Sequence, residues 1–193
     1  MILGGAFDDL LEANNEFAAH FENVGLPARA ARGLAVLTCM DSRIDPFRIL
    51  GIGPGDAKVL RNAGGRVTED VLRTLVLGAY LLDVTRVLVM PHTHCRMAES
   101  SENDIHALIG ADYGVDTRSL EFRTTDDQVA SLRHDLVRVH SYPLLPRSLK
   151  IGGAIFDVSR GTGARRPVST SKMAPPIFSD RGSSGYECTR TRS

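Results

Sequence analysis

The sequence predicts an α/β fold: a central, mostly parallel β-sheet flanked by helices, followed by a disordered C-terminal tail. Three observations lead there. Short apolar runs of strand length at 34–38, 57–60, 87–90 and 151–158 alternate with longer stretches of helical periodicity. The best of these runs, 34–38, is apolar without alternation, as a strand covered on both faces is. After about Gly161 both patterns stop, and Ser, Thr, Arg, Gly and Pro dominate.

Taken in order, residues 8–22 predict a helix, with Leu10, Leu11, Phe17 and Phe21 on one stripe. Gly25, Pro27 and Gly33 mark a connector, then the first strand follows. Residues 45–50 make one helical turn, closed by the turn residues Gly51, Gly53, Pro54 and Gly55, which lack the Lys-Ser/Thr of a phosphate loop. A second strand starts at Ala57. A helix is predicted over 69–82, with Thr68 as N-cap and Glu69 and Asp70 in its first turn. It is apolar around much of its circumference, which predicts deep burial. The third strand ends at Pro91. Helices over 100–109 and 125–140 follow, the second with Thr124 as N-cap and Asp127 three residues on. A last strand spans 151–158. This makes one domain over 1–160 and a tail over 161–193.

At 193 residues the chain buries a core without disulfide staples. Formal net charge is zero, which gives no general attraction to nucleic acid or anionic membrane. The tail carries six basic and two acidic residues, and a solvated segment accounts for them. No apolar run reaches the ~18 residues of a membrane span. The first seven residues lack a basic leader, so no secretory signal is expected. Three cysteines, an odd number with one in the tail, fit a reducing cytoplasm and a metal site better than a disulfide framework.

Two segments carry the chemistry. Cys39, Asp41 and Arg43 follow one predicted strand, and His92, His94 and Cys95 follow another. In open α/β sheets, sites form where the carboxyl ends of neighbouring strands meet. Cys39, His92 and Cys95 supply two thiolates and an imidazole, and a catalytic zinc takes three such ligands with a fourth position open. Alone, each cysteine reads as a buried apolar residue, and Asp41 with Arg43 as a surface ion pair. His94 competes with His92, but its adjacency to Cys95 makes joint binding to one ion geometrically poor.

Cys39-x-Asp41-x-Arg43, Arg61-Asn62-Ala63-Gly64 and His92-Thr93-x-Cys95 resemble the three ordered signatures of the β-carbonic anhydrases. Leu50-Gly51, and Gly152 to Val158 in the last strand, match as well; the resemblance covers roughly 8–160. It implies one Zn2+ per chain on Cys39, His92 and Cys95, and reversible hydration of CO2 to bicarbonate by a zinc-bound hydroxide. Asp41 would orient the hydroxide or occupy the fourth position in a resting form. Arg43 would hold Asp41 off the metal. Asn62, Gly64 and Gly65 would line the substrate pocket. The resemblance also implies a homodimer or higher even assembly, with the N-terminal helix embracing the partner. His94 and His106 are the candidate proton shuttles. Two alternatives share the ligands: hydrolysis of carbonyl sulfide or carbon disulfide, and a catalytically silent zinc protein. The silent reading is motivated by Arg96, where the family usually has glycine, and by the long tail.

Overall fold

A parallel sheet forms the centre of the molecule. The computed structural model describes residues 5–163 and 168–169. Strands β1 (Leu34–Cys39), β2 (Ala57–Asn62), β3 (Arg86–Met90) and β4 (Lys150–Gly153) lie in the order β2-β1-β3-β4. All three pairings are parallel. Two further short pairs complete the strands. β5 (Phe156–Asp157) pairs with β6 (Thr162–Gly163), and β7 (Val168–Ser169) adds an antiparallel edge to β4. The expected tail therefore contains paired backbone at its start; 164–167 and 170–193 lie outside the described residues.

The helices are α1 (Asp8–Ala19), α2 (Pro46–Leu50), α3 (Glu69–Leu81), α4 (Arg96–Glu99), α5 (Glu102–Tyr113) and α6 (Gln128–Ser141). α3 and α6 cover one sheet face. Val71, Leu72 and Leu75 from α3, and Leu132, Leu136 and Val139 from α6, bury Leu37, Val87, Val89 and Ile151. A smaller cluster of Ile44, Met90, Phe156, Cys39 and Cys95 sits at the carboxyl ends of the strands. The fold thus encloses the predicted site in apolar packing.

Four expectations change. α6 begins at Gln128, not 125, because Asp127 is the N-cap, accepting from the Val129 and Ala130 N–H groups at 2.9 Å each. Thr124 instead donates to Glu102 at 3.1 Å. The last strand breaks after Gly153, where the chain steps sideways so that Phe156 N donates to Pro91 O. The short helix α4 was not expected. α3 is buried on one side only, since Leu77, Tyr80 and Leu81 are exposed. Within one chain only one face of that helix meets the sheet. α1 buries none of its residues.

Candidate metal centre

β1 and β3 are adjacent and parallel, so their carboxyl ends deliver Cys39 and His92 to one place. The chain after β3 turns back through a residue with positive φ, His94 at 53°. That turn brings Cys95 beside Cys39, with sulfurs 3.9 Å apart. The donor atoms of Cys39, His92 and Cys95 all lie within 4.8 Å of one another, and all three residues are buried.

This set fits a zinc ion. Two thiolates each about 2.3 Å from a tetrahedral zinc stand about 3.8 Å apart, close to the separation here. His92 Nδ1 donates to the Thr93 carbonyl at 2.8 Å, which leaves Nε2 as the free lone pair. Nε2 is buried without a hydrogen-bond partner among the described residues. An orphaned polar atom in a packed interior is costly unless something binds it.

The two sulfurs titrate as a unit. The Cys95 thiol donates to Cys39 and drives the Cys39 thiol down against the effect of burial; the backbone N–H groups of Asp41 and Gly64 help. Cys95 is pushed up, first by that same bond to Cys39 and then by burial. One thiolate forms readily, and the second requires a cation to offset the charge.

Asp41 stands at the edge of the cluster, its Oδ2 3.7 Å from His92 Nε2. Arg43 grips both of its oxygens, Nε to Oδ1 at 2.9 Å and Nη2 to Oδ2 at 2.7 Å. The Arg43 backbone N–H adds a third bond at 2.9 Å. These bonds hold the Asp41 carboxyl well below the usual carboxylate range. Arg43 is anchored in turn by donating to the His94 carbonyl at 2.9 Å.

Gly64 and Gly65 lie in a short 3-10 turn, Ala63–Gly65, with φ of 76° and 65°. A Cβ at Gly65 would come within 3.1 Å of Cys39 N and Thr38 C, so the turn packs directly on β1. Both glycines line a cavity of about 20 Å³ beside Cys95, room for about one water. Asn62 lies elsewhere: its amide bridges the turn, donating to Arg66 O at 2.7 Å and accepting from Arg66 N at 2.8 Å. Arg96 is exposed and opens α4, outside that cavity and outside the positive-φ residues. The residue that needs unusual backbone angles in this turn is His94, so a side chain at 96 is accommodated. His106 sits in a separate open cleft, 2.9 Å from Thr117 Oγ1.

Several residues support the cluster from outside it, and of these Arg61 stands in the second sequence signature. Arg61 donates to Cys39 O at 3.0 Å and Asp41 O at 2.7 Å, holding the loop after β1. Gln128 donates to His92 O at 2.7 Å. Arg66 pairs with buried Asp135. Of Gln128, Arg66 and Asp135, only Asp135 left a signal, a lone acid on the apolar stripe of α6.

A sequence model of the carbonic anhydrase family matches residues 34–162. The chain is 35% identical over 155 residues to β-carbonic anhydrase 1 of Mycobacterium tuberculosis, covering 80% of this chain and 93% of that protein. It is 29% identical over 153 residues to a carbon disulfide hydrolase of Saccharolobus solfataricus, covering 66% and 74%. Among solved structures, a carbonic anhydrase from Streptococcus mutans superposes with a TM-score of 0.80 at 34% identity, covering 88% of this chain and all of that one.

Proposed function

The chain belongs to the β-carbonic anhydrase family, and on that premise we propose that it catalyses the reversible hydration of CO2 to bicarbonate. The observation that carries this reading is the buried Cys39, His92 and Cys95 cluster with the Asp41–Arg43 pair at its edge. Residues 1–160 act as one zinc-binding domain, with one Zn2+ held by Cys39, His92 and Cys95. When bound there, zinc supplies the Lewis acidity that makes water a nucleophile near neutral pH.

The chain's own residues do the rest. Asp41, kept ionised by Arg43, accepts a hydrogen bond from the attacking water and orients it toward the carbon. An ionised Asp41 cannot donate, so it selects the water orientation that presents a lone pair to CO2. Arg43 keeps the carboxylate from swinging inward, because both its oxygens are already gripped. Gly64 and Gly65 allow close backbone approach to a small apolar substrate. The side chain of His94, 63% exposed and beside the cluster, is placed to pass the proton to solvent; His106 is not.

The relatives that hydrolyse carbon disulfide motivate a second reading, in which the same site acts on carbon disulfide or carbonyl sulfide. Rates for CO2 and for each sulfur analogue, measured on one zinc-verified preparation, separate the two. CO2 is expected to react fastest, and faster turnover of a sulfur analogue reverses the order. Of the two features that motivate a catalytically silent role, Arg96 opens a helix at the surface, and 170–193 of the tail lie outside the described residues.

The proposed partner is a second copy of the chain. α1 exposes Leu10, Leu11 and Phe17 and carries Asp8, Asp9, Glu12 and Glu16. A groove on the body, lined by Leu34, Leu50, Ile52 and Leu88 and rimmed by Arg32, Arg86 and Lys150, complements it in polarity and charge. No helix among the described residues is long and apolar enough to cross a membrane. The two free thiols of the cluster suit a reducing compartment, which we take to be the cytoplasm.

A further inference from the structure

Asp135 is buried where an apolar residue would be expected. It lies on α6 among Leu132, Leu136 and Val139, with its side chain 3% exposed. Its partner Arg66 is 15% exposed and donates from Nε at 2.7 Å. The same carboxylate oxygen accepts the Val67 N–H at 3.3 Å. Arg66 Nη1 also donates to the Arg123 carbonyl at 2.8 Å.

Stability alone gives no reason for this pair. A buried ion pair replaced by apolar residues of similar volume often leaves a protein equally stable or more so. Location does give a reason. Arg66 follows the Ala63–Gly65 turn directly, and its main chain is clamped on both sides by Asn62. The same turn directs the Gly64 N–H at Cys39 and packs Gly65, the residue before Arg66, on β1. Seven residues before Asp135, and so on the same face of α6, Gln128 donates to His92 O. One helix face therefore supports the cluster from two sides. Ser131 lies between these positions, its Oγ buried and without a hydrogen-bond partner among the described residues, on the wall of the cavity beside Cys95.

We infer that the Arg66–Asp135 pair is a positioning device for the metal cluster, setting Cys39 through the Ala63–Gly65 turn against the His92 that Gln128 supports from the same helix. Arg66 and Asp135 touch neither metal nor substrate in this account. The inference rests on the metal-site reading above. Supports of this kind, when removed, typically weaken metal affinity about 10–100-fold.

The test uses the full chain and two readouts that do not depend on turnover: zinc affinity by chelator competition, and the thiolate-to-metal charge-transfer bands of the cobalt(II)-substituted protein. Single substitutions at a buried pair can unfold a protein by leaving one charge alone. The main variant is therefore the double change Arg66→Met with Asp135→Leu. It is expected to melt no lower than the parent, to bind zinc about 10–100-fold more weakly, and to show shifted cobalt bands. Arg66→Lys, which keeps the charge but not the fork, is expected to fall between. A folded double variant with parental affinity and parental bands overturns the inference and leaves the pair a packing feature. A parent that binds zinc but does not hydrate CO2 overturns the proposed activity alone. A parent that binds neither metal overturns both.

Discussion

At the residue scale, the cluster depends on who holds each proton. Cys95 is pushed up by Cys39 and by burial, so a proton must leave before both sulfurs bind a cation. Zinc binding is therefore expected to release protons and to weaken as pH falls; competition titrations at pH 6 and pH 8 measure it. Equal affinity at both would mean that the thiols are already ionised without metal. Gly65 makes a second residue-scale claim. A Cβ there meets Cys39 N at 3.1 Å in a backbone conformation that side chains resist. Gly65→Ala is expected to cost about 1–3 kcal/mol of stability, read by denaturant unfolding, and to reduce bound zinc. The ligands were legible in the sequence because each signature is only a few residues long. Arg66 and Asp135 stand 69 positions apart, and no local pattern joins them.

At the element scale, β1, β2 and β3 and the starts of α1 and α3 were read to within two residues, while the start of α6 and the last strand were not. β1 and β3 are apolar runs with little competing signal. The start of α6 was displaced because Thr124 and Asp127 are both capping residues. The choice between them was made by Glu102, which takes up Thr124 from 22 positions away. Glu102 ties the first turn of α5 to the backbone of Phe122 and Thr124. Burial pushes its carboxyl up, but these hydrogen bonds outweigh burial and hold it below the ordinary value of 4.5. A depressed carboxyl contributes stability above its unfolded pKa, and loses it as pH falls through the lower folded value. Glu102→Gln is thus expected to lose about 1 kcal/mol at pH 7 and less at pH 4, by unfolding at both. An equal loss at the two pH values would show that the charge plays no part. The split of the last strand into β4 and β5 had no sequence signal, because it follows from Phe156 pairing with His92 in the segment beyond β3.

At the scale of the whole molecule, the α/β architecture was legible from the alternation of strands and helices. α1 showed its apolar stripe in the sequence, yet the described residues offer that stripe no cover: Leu10 is 61% exposed and Phe17 59%. If a second copy covers it, Leu10→Glu with Phe17→Glu is expected to shift the protein to monomer in sedimentation velocity. A variant that keeps the parental assembly would place the interface elsewhere. The most direct test of the central claim is CO2 hydration by stopped flow between pH 7 and 9. It compares the zinc-loaded chain with its Asp41→Ala variant, zinc verified at about one per chain in each. The account predicts turnover that rises with pH in the parent and falls about 100-fold or more in the variant at equal zinc. Parental turnover no faster than buffer, or an Asp41→Ala variant as fast as the parent, would contradict it.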